Sequence, residues 1–314
     1  MNKPILLITE SIACEPSSWL EKKCNVHSHS VNDAGFEELL SVAQGLVVRT
    51  YTRVDAAMLD RAPDLRVVGR AGVGLDNIDL EACADRGIRV VHTPRANAMA
   101  VVEYTMSMLI NTLRPINALT EYVHAEQWHA AREAAITPGS VVGTTLGVVG
   151  MGHIGSRVAR AGLGMGMVVS FNDLRDIEPR DTHGASSESF EALLGQSRCV
   201  SVHVDGRAKN RGLIGHGEFA LMRPDVILVN ASRGFVVDAE AAAVFARANP
   251  DARLIFDVHD PEPIDRDSGL MGLGNVILTP HIAAATRQAK LAMSWVVRDV
   301  WAVLDGEEPA YPAD

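Results

Sequence analysis

Short unbroken runs of valine, isoleucine and leucine recur along the chain, separated by longer polar or alanine-rich stretches. The first series covers residues 5–9, 46–49, 66–69 and 89–92. The second covers 146–150, 167–171, 200–204, 226–230, 254–257 and 276–279. Continuous rather than alternating apolar runs mark strands buried on both faces. Alternation of such strands with helical stretches predicts parallel sheets with crossover helices. Between the two series, residues 98–126 set Val101, Val102, Met106, Leu109, Ile110 and Leu113 at helical spacing, in a helix that Pro115 kinks or interrupts. Residues 128–143, with Pro138-Gly139, read as a loop, and residues 284–304 as an amphipathic helix with Trp295 and Trp301 on its apolar side. The pattern predicts an α/β chain of two Rossmann-like, doubly wound parallel-sheet domains. One is discontinuous, residues 1–97 plus 285–314, and the other is residues 98–284. No internal repeat or low-complexity segment interrupts it.

Length agrees with two domains, because 314 residues exceed the size at which one core keeps growing. A hydrophobic share of 47% against 22% charged residues argues against long disorder. A formal charge of -10 repels phosphate backbones, so a nucleic-acid partner is not expected. No apolar stretch has the length of a membrane span, and the first run is too short for a secretory leader. Cys14, Cys24, Cys83 and Cys199 lie far apart, with no C-x-x-C and no histidines at metal-ligand spacing. Neither a disulfide framework nor a metal is expected, and the compartment reads as reducing cytoplasm.

Chemistry enters at Thr145-Leu146-Gly147-Val148-Val149-Gly150-Met151-Gly152-His153-Ile154-Gly155, an apolar strand running straight into G-x-G-x-x-G. In such a sequence Gly150 permits the tight turn, Gly152 lets the backbone approach a pyrophosphate, and Gly155 lets helix and strand pack closely. The N–H groups of His153 and Ile154 then face the phosphates at a helix N-terminus. The next predicted strand ends in Asp173, 18 residues after Gly155, where a carboxylate that binds the ribose belongs. A carboxylate there repels a 2′-phosphate, so NAD is favoured over NADP, although Arg175 lies two residues on.

Three polar residues follow later predicted strands: Arg233 in Val229-Asn230-Ala231-Ser232-Arg233-Gly234, Glu262 in Asp257-Val258-His259-Asp260-Pro261-Glu262-Pro263, and His281 in Thr279-Pro280-His281. Strand C-terminal ends are where open α/β sheets bind ligands. Singly, each has a plain structural reading as a surface charge, a solvated loop acid or a satisfied cap. Together they match the reduction of a 2-oxo acid, which needs a proton at the carbonyl oxygen as hydride reaches the carbon. Histidine suits that transfer. A glutamate bonded to the imidazole stabilises the imidazolium, and an arginine fork holds a carboxylate and polarises the neighbouring carbonyl.

These motifs, with Gly69-Arg70-Ala71-Gly72-Val73-Gly74-Leu75-Asp76-Asn77-Ile78-Asp79 and Leu221-Met222-Arg223-Pro224, make the chain resemble the D-isomer-specific 2-hydroxyacid dehydrogenases over nearly its whole length. The resemblance implies an active site in the cleft of a two-lobed fold, the discontinuous domain being the substrate domain and the other the NAD-binding one. It implies Arg233, Glu262 and His281 as the catalytic set, and Arg49, Val73 and Gly74, with Arg233 and His281, at the substrate. Cofactor contacts are implied at Gly150, Gly152, His153, Ile154, Gly155, Asp173, Val204, Ala231, Ser232, Arg233, Asp257, His281 and Ala283. A homodimer and D stereochemistry also follow from the resemblance. The chain departs from the family pattern at Val204-Asp205-Gly206-Arg207 and at Arg95 after Thr93-Pro94, and ending at Asp314 it leaves no room for a C-terminal regulatory domain. Glu262 stands where formate dehydrogenases carry glutamine. Arg49, Arg53, Arg70 and Arg95 lean the substrate toward a small polar or doubly acidic acid: hydroxypyruvate, glyoxylate, or a phosphorylated or sulfonated three-carbon acid. Two alternatives stay open. One is an NAD-sensing, corepressor-like protein without turnover, and the other is phosphite oxidation.

Overall fold

A computed structural model of the chain describes residues 3–116, 118–137 and 139–313, so Pro138 of the expected loop lies outside the described residues. The chain divides into two compact units: Met1–Ala98 with Ala284–Asp314, and Met99–Ala283.

The first unit is built on five parallel strands: β1 (Ile5–Ile8), β2 (Asn25–Ser28), β3 (Gly45–Val48), β4 (Val67–Arg70) and β5 (Arg89–His92). They lie in the order β2-β1-β3-β4-β5. β3 is buried along its whole length, as its unbroken apolar run predicts. One face of the sheet packs on Phe36, Leu40, Met58, Leu65, Ile78 and Cys83. On the other, a Cβ at Gly69 would fall 2.3 Å from a Val300 methyl, so glycine in β4 lets the helix Val297–Asp305 lie directly on the sheet. Because β1 continues to β2 on one side while β3 lies on the other, the strand order reverses between β1 and β3. Such a switch point opens a crevice beyond the strand ends.

The second unit holds β6 (Thr145–Val149), β7 (Val168–Asn172), β8 (Ser186–Ser187), β9 (Cys199–Val202), β10 (Ile227–Asn230), β11 (Arg253–Phe256) and β12 (Val276–Leu278). All pair in parallel, in the order β12-β11-β10-β9-β6-β7-β8, so the switch point falls between β6 and β9. Its two faces carry separate apolar cores, one around Leu193, Val200, Leu228 and Ala242, the other around Leu109, Val148, Val158 and Ile255. This is the α/β architecture that the run pattern predicts.

The helix after residue 97 is Ala98–Leu113 and stops just before Pro115, the interruption expected there, since a proline cannot donate the ladder hydrogen bond. Two local expectations need correction. Part of the expected loop is the helix Ala125–Ala134, whose Gln127 side chain accepts from the His124 N–H at 3.0 Å, and whose alanines favour helix without any burial. The C-terminal helix is two helices, Arg287–Ser294 and Val297–Asp305, broken at Trp295 and Val296. There the tryptophans are half-buried under cations, Arg298 over Trp295 at 4.0 Å and Lys23 over Trp301 at 4.6 Å.

Candidate active site

The turn after β6 is built from backbone contacts that only glycines allow. Gly150 has φ +92°, and a Cβ there would meet the His203 carbonyl at 2.7 Å. A Cβ on Gly155 would sit 1.9 Å from the Gly150 carbonyl oxygen, so the helix Gly155–Gly164 starts hard against the strand it follows. Gly152 differs, because nothing lies within 4 Å of the position its Cβ would take. The turn therefore leaves open space over Gly152 beside the exposed His153 and the half-buried Ile154, the residue that caps the helix. A backbone cradle that is open at its second glycine and closed at its first and third fits a pyrophosphate.

Asp173 follows β7, and the Gly150 N–H donates to the carbonyl of Asn172 beside it at 2.8 Å. Its Oδ2 accepts from the Met151 N–H at 2.7 Å, which ties the acid to the glycine turn. The Arg175 guanidinium also grips both carboxylate oxygens, at 3.0 and 3.1 Å. Burial alone would raise the Asp173 carboxyl, but these bonds hold it below the usual carboxylate range. After β9, His203 donates its N–H to Val149 at 2.7 Å, and its buried ring is pushed down to about 3 by desolvation. Val204 follows, half-buried against the core, with its N–H against Gly150. Asp205 and Arg207 of the unusual loop close on each other as an ion pair.

Beyond β10, Asn230 organises its own loop. Its Oδ1 accepts from the Ser232 N–H at 3.1 Å and hydroxyl at 2.7 Å, and its amide donates to the Arg233 carbonyl at 2.9 Å. Ala231 and Ser232 lie in this turn. Arg233 donates to the Ser232 carbonyl at 2.7 Å. A Cβ on Gly234 would fall 2.0 Å from the His259 carbonyl carbon, so glycine lets the Arg233 loop press against the segment that leads to Glu262.

Asp257, fully buried after β11, holds the next loop. Its carboxylate accepts from the Thr279 hydroxyl at 2.6 Å and from the N–H groups of Ile282 and Ala283 at 2.7 Å each. Its carbonyl accepts from the His281 N–H at 2.8 Å. His281 is thereby fastened at φ +55°, a left-handed conformation that L-residues avoid unless the surroundings impose it. From there its Nδ1 pairs with Glu262 Oε2 at 2.9 Å, while Glu262 Oε1 accepts from the His259 N–H at 2.9 Å. Burial pushes the Glu262 carboxyl up, but its bonds to His281 and His259 outweigh that and hold it below the ordinary range. An ionised acceptor at Nδ1 favours a proton there and leaves Nε2 for exchange with a ligand.

The second unit thus collects the glycine turn, Asp173, Val204, Ala231–Arg233, Asp257, Glu262, His281 and Ala283 at the C-terminal ends of one sheet. Arg49, Val73 and Gly74 belong to the first unit. Arg49 follows β3, and its guanidinium donates to the Ser11 carbonyl at 3.1 Å. Val73 and Gly74 follow β4, and the Val73 carbonyl pairs with His92 Nδ1 at 3.0 Å.

Residues 106–283 match the model of the D-isomer specific 2-hydroxyacid dehydrogenase NAD-binding domain. The chain belongs to that family. It is 35% identical over 301 residues to the (S)-sulfolactate dehydrogenase of Chromohalobacter salexigens, covering 94% of this chain and 96% of that one. It is 33% identical over 298 residues to the D-3-phosphoglycerate dehydrogenase of Archaeoglobus fulgidus, covering 94% of this chain but only 56% of the relative. The chain therefore spans little more than half the length of that relative. Its fold is similar to the D-lactate dehydrogenase of Aquifex aeolicus solved with NAD and lactic acid, with a TM-score of 0.80, 26% identity and 96% of each chain covered. For this family member, the glycine turn and Asp173 would hold NAD. Among the described residues no group of three His, Cys, Asp or Glu side chains could hold a metal, and no helix is long and apolar enough to cross a membrane.

Sequence reasoning passed over His259, Asn230, Gly234 and Tyr104, whose hydroxyl pairs with Thr279 at 2.7 Å. His259, Asn230 and Gly234 stand inside the motifs that carry Glu262 and Arg233. Tyr104 lies 175 residues from its partner, and no spacing signals it.

Proposed function

We propose that the chain is an NAD-dependent dehydrogenase that interconverts a small polar 2-oxo acid and its D-2-hydroxy acid. The observation that carries this is the Glu262–His281 pair at 2.9 Å, on the same sheet edge as the glycine turn. Bound NADH would supply the hydride to the carbonyl carbon. Arg233 holds the carboxylate and draws electron density toward the carbonyl oxygen, and the family resemblance adds Arg49 and the N–H groups of Val73 and Gly74 as substrate contacts. His281 gives its Nε2 proton to that oxygen as the carbon accepts the hydride, and Glu262, bonded to Nδ1, orients the ring for the transfer. In the oxidative direction His281 takes the hydroxyl proton. Met99–Ala283 would be the NAD-binding domain and the other unit the substrate domain.

Phosphoglycerate and sulfolactate dehydrogenases among the relatives favour a three-carbon acid with a second anionic group, with hydroxypyruvate and glyoxylate as smaller candidates. A homodimer in the cytoplasm completes the reading. Its support is an exposed apolar set, Ile116, Leu119, Tyr122, Trp128, Ile136 and Val142, around a helix that buries nothing, together with four free cysteines. The test is NADH oxidation with a panel of 2-oxo acids, and with phosphite and NAD as a separate arm. Tight NADH binding with no turnover on any arm would favour a sensing protein instead.

Asp173→Ala is expected to weaken NADH binding and to narrow the preference against NADPH. Removing the carboxylate deletes the group that repels a 2′-phosphate and releases the Arg175 guanidinium it now holds. The ratio of kcat/KM values for NADH and NADPH measures this. An unchanged ratio means that Asp173 does not read the ribose.

A further inference from the structure

The loop after β3 is held by its backbone to an unusual degree. Both oxygens of the Glu10 carboxylate take part: Oε1 accepts from the N–H groups of Arg49 at 2.9 Å and Thr52 at 3.1 Å, and Oε2 from Thr50 at 2.9 Å. The Tyr51 N–H lies 3.2 Å from each oxygen. Four consecutive N–H groups converging on one carboxylate form a concave nest of the kind that binds anions. Asn77 grips the same loop from its acceptor side, its amide donating to the carbonyls of Arg49 at 3.1 Å and Thr52 at 2.6 Å. The Thr52 hydroxyl pairs with that of Thr9 at 2.7 Å.

We infer that Glu10 and Asn77 are positioning residues for substrate capture, which hold residues 49–52 by their backbone and so aim Arg49. This rests on the proposed function, in which Arg49 faces the 2-oxo acid. Three observations set it apart from ordinary loop anchoring. Glu10 follows β1 and Arg49 follows β3, so the nest lies across the switch point of its sheet, where open α/β folds take ligands. The loop adds little to the core, since Tyr51 is 80% exposed and only Thr52 is buried. Asn77 also belongs to the segment carrying Val73 and Gly74, so a single side chain joins the two backbone stretches proposed to hold the substrate carboxylate. Burial acts to raise the Glu10 carboxyl, and the nest reverses this and keeps it charged below its ordinary range.

The experiment compares Glu10→Gln, Glu10→Asp, Asn77→Asp and Arg49→Ala in the full chain. Glutamine keeps the size of Glu10 but turns an NH2 group toward the donors, and aspartate in place of Asn77 turns an acceptor toward the carbonyls. Glu10→Gln should raise KM for the 2-oxo acid about 10–100-fold, the worth of lost hydrogen bonds to a charged group, and leave KM for NADH unmoved. Asn77→Asp should act in the same direction, and Glu10→Asp should recover part of the loss. Adding Arg49→Ala to Glu10→Gln should cost little more, because both act through one side chain. A lower melting temperature with unchanged KM, multiplying effects of the two substitutions, or an Arg49→Ala enzyme with normal KM would each overturn the inference. Amide exchange over residues 49–52 needs no turnover and should speed up in Glu10→Gln; unchanged exchange would refute the clamp. If no acid on the panel is reduced, the proposed activity fails. Faster exchange would then leave a loop fastening and overturn its part in substrate capture.

Discussion

His281→Ala is expected to lower turnover about 10²–10⁴-fold, the usual worth of a positioned acid–base group, while NADH still binds. The size of the effect follows from how much structure serves this one ring. Asp257 ties the peptides on both sides of it, His281 sits at φ +55°, and Glu262 meets Nδ1. Alanine at that φ is itself unfavourable, so the loop of the alanine variant could relax and confuse the result. His281→Asn answers this, because asparagine tolerates the left-handed region and keeps the turn while removing the proton donor. Both variants should lose the chemical step, read in single turnovers, and the asparagine variant should keep the wild-type melting temperature. Near-normal turnover in either would remove His281 from proton transfer. Glu262→Gln should cost less than His281→Ala, since the ring remains in place without its charged neighbour.

The fold was legible where burial is two-sided. The runs at β3, β6, β9 and β10 are dominated by apolar residues and lie fully or almost fully buried, so the runs alone exposed them. β2, Asn-Val-His-Ser at a sheet edge, has no buried face to leave such a trace, and the two-residue β8 has even less. Most of the helix at 125–134 falls within the expected loop for the opposite reason, because it buries nothing and has no apolar stripe to display. At the site, glycine spacing and strand ends pointed to the turn, Asp173, Arg233, Glu262 and His281, since these depend on local chain geometry. What escaped were side chains serving distant backbone. Glu10 binds peptide groups 39 to 42 residues away, and a carboxylate whose partners are N–H groups leaves no complementary residue pattern to find. Arg175 was visible, but only coordinates show that it occupies the acid expected to read the ribose.

The glycines of the turn separate packing from cofactor binding, and two substitutions should split them. In Gly155→Ala the new methyl would lie 1.9 Å from the Gly150 carbonyl oxygen. That neighbour is backbone at the start of a helix, with no flexible end to move aside, so strand and helix must part. Overpacking of this kind costs on the order of 1–3 kcal/mol or more, read as a lower melting temperature. NADH binding falls with it, because the displaced helix start carries the N–H groups proposed for the pyrophosphate. Gly152→Ala meets nothing within 4 Å in the protein alone, so its melting temperature should match wild type. Its methyl would instead project into the space proposed for the pyrophosphate. NADH affinity should drop about tenfold or more, roughly 1.4 kcal/mol in binding, with no loss of fold. Fluorescence titration of NADH alongside thermal melts distinguishes the two. A Gly152→Ala protein that binds NADH as tightly as wild type would show that the phosphates do not lie over this turn, and a Gly155→Ala protein of unchanged stability would show that helix and strand have room to spare.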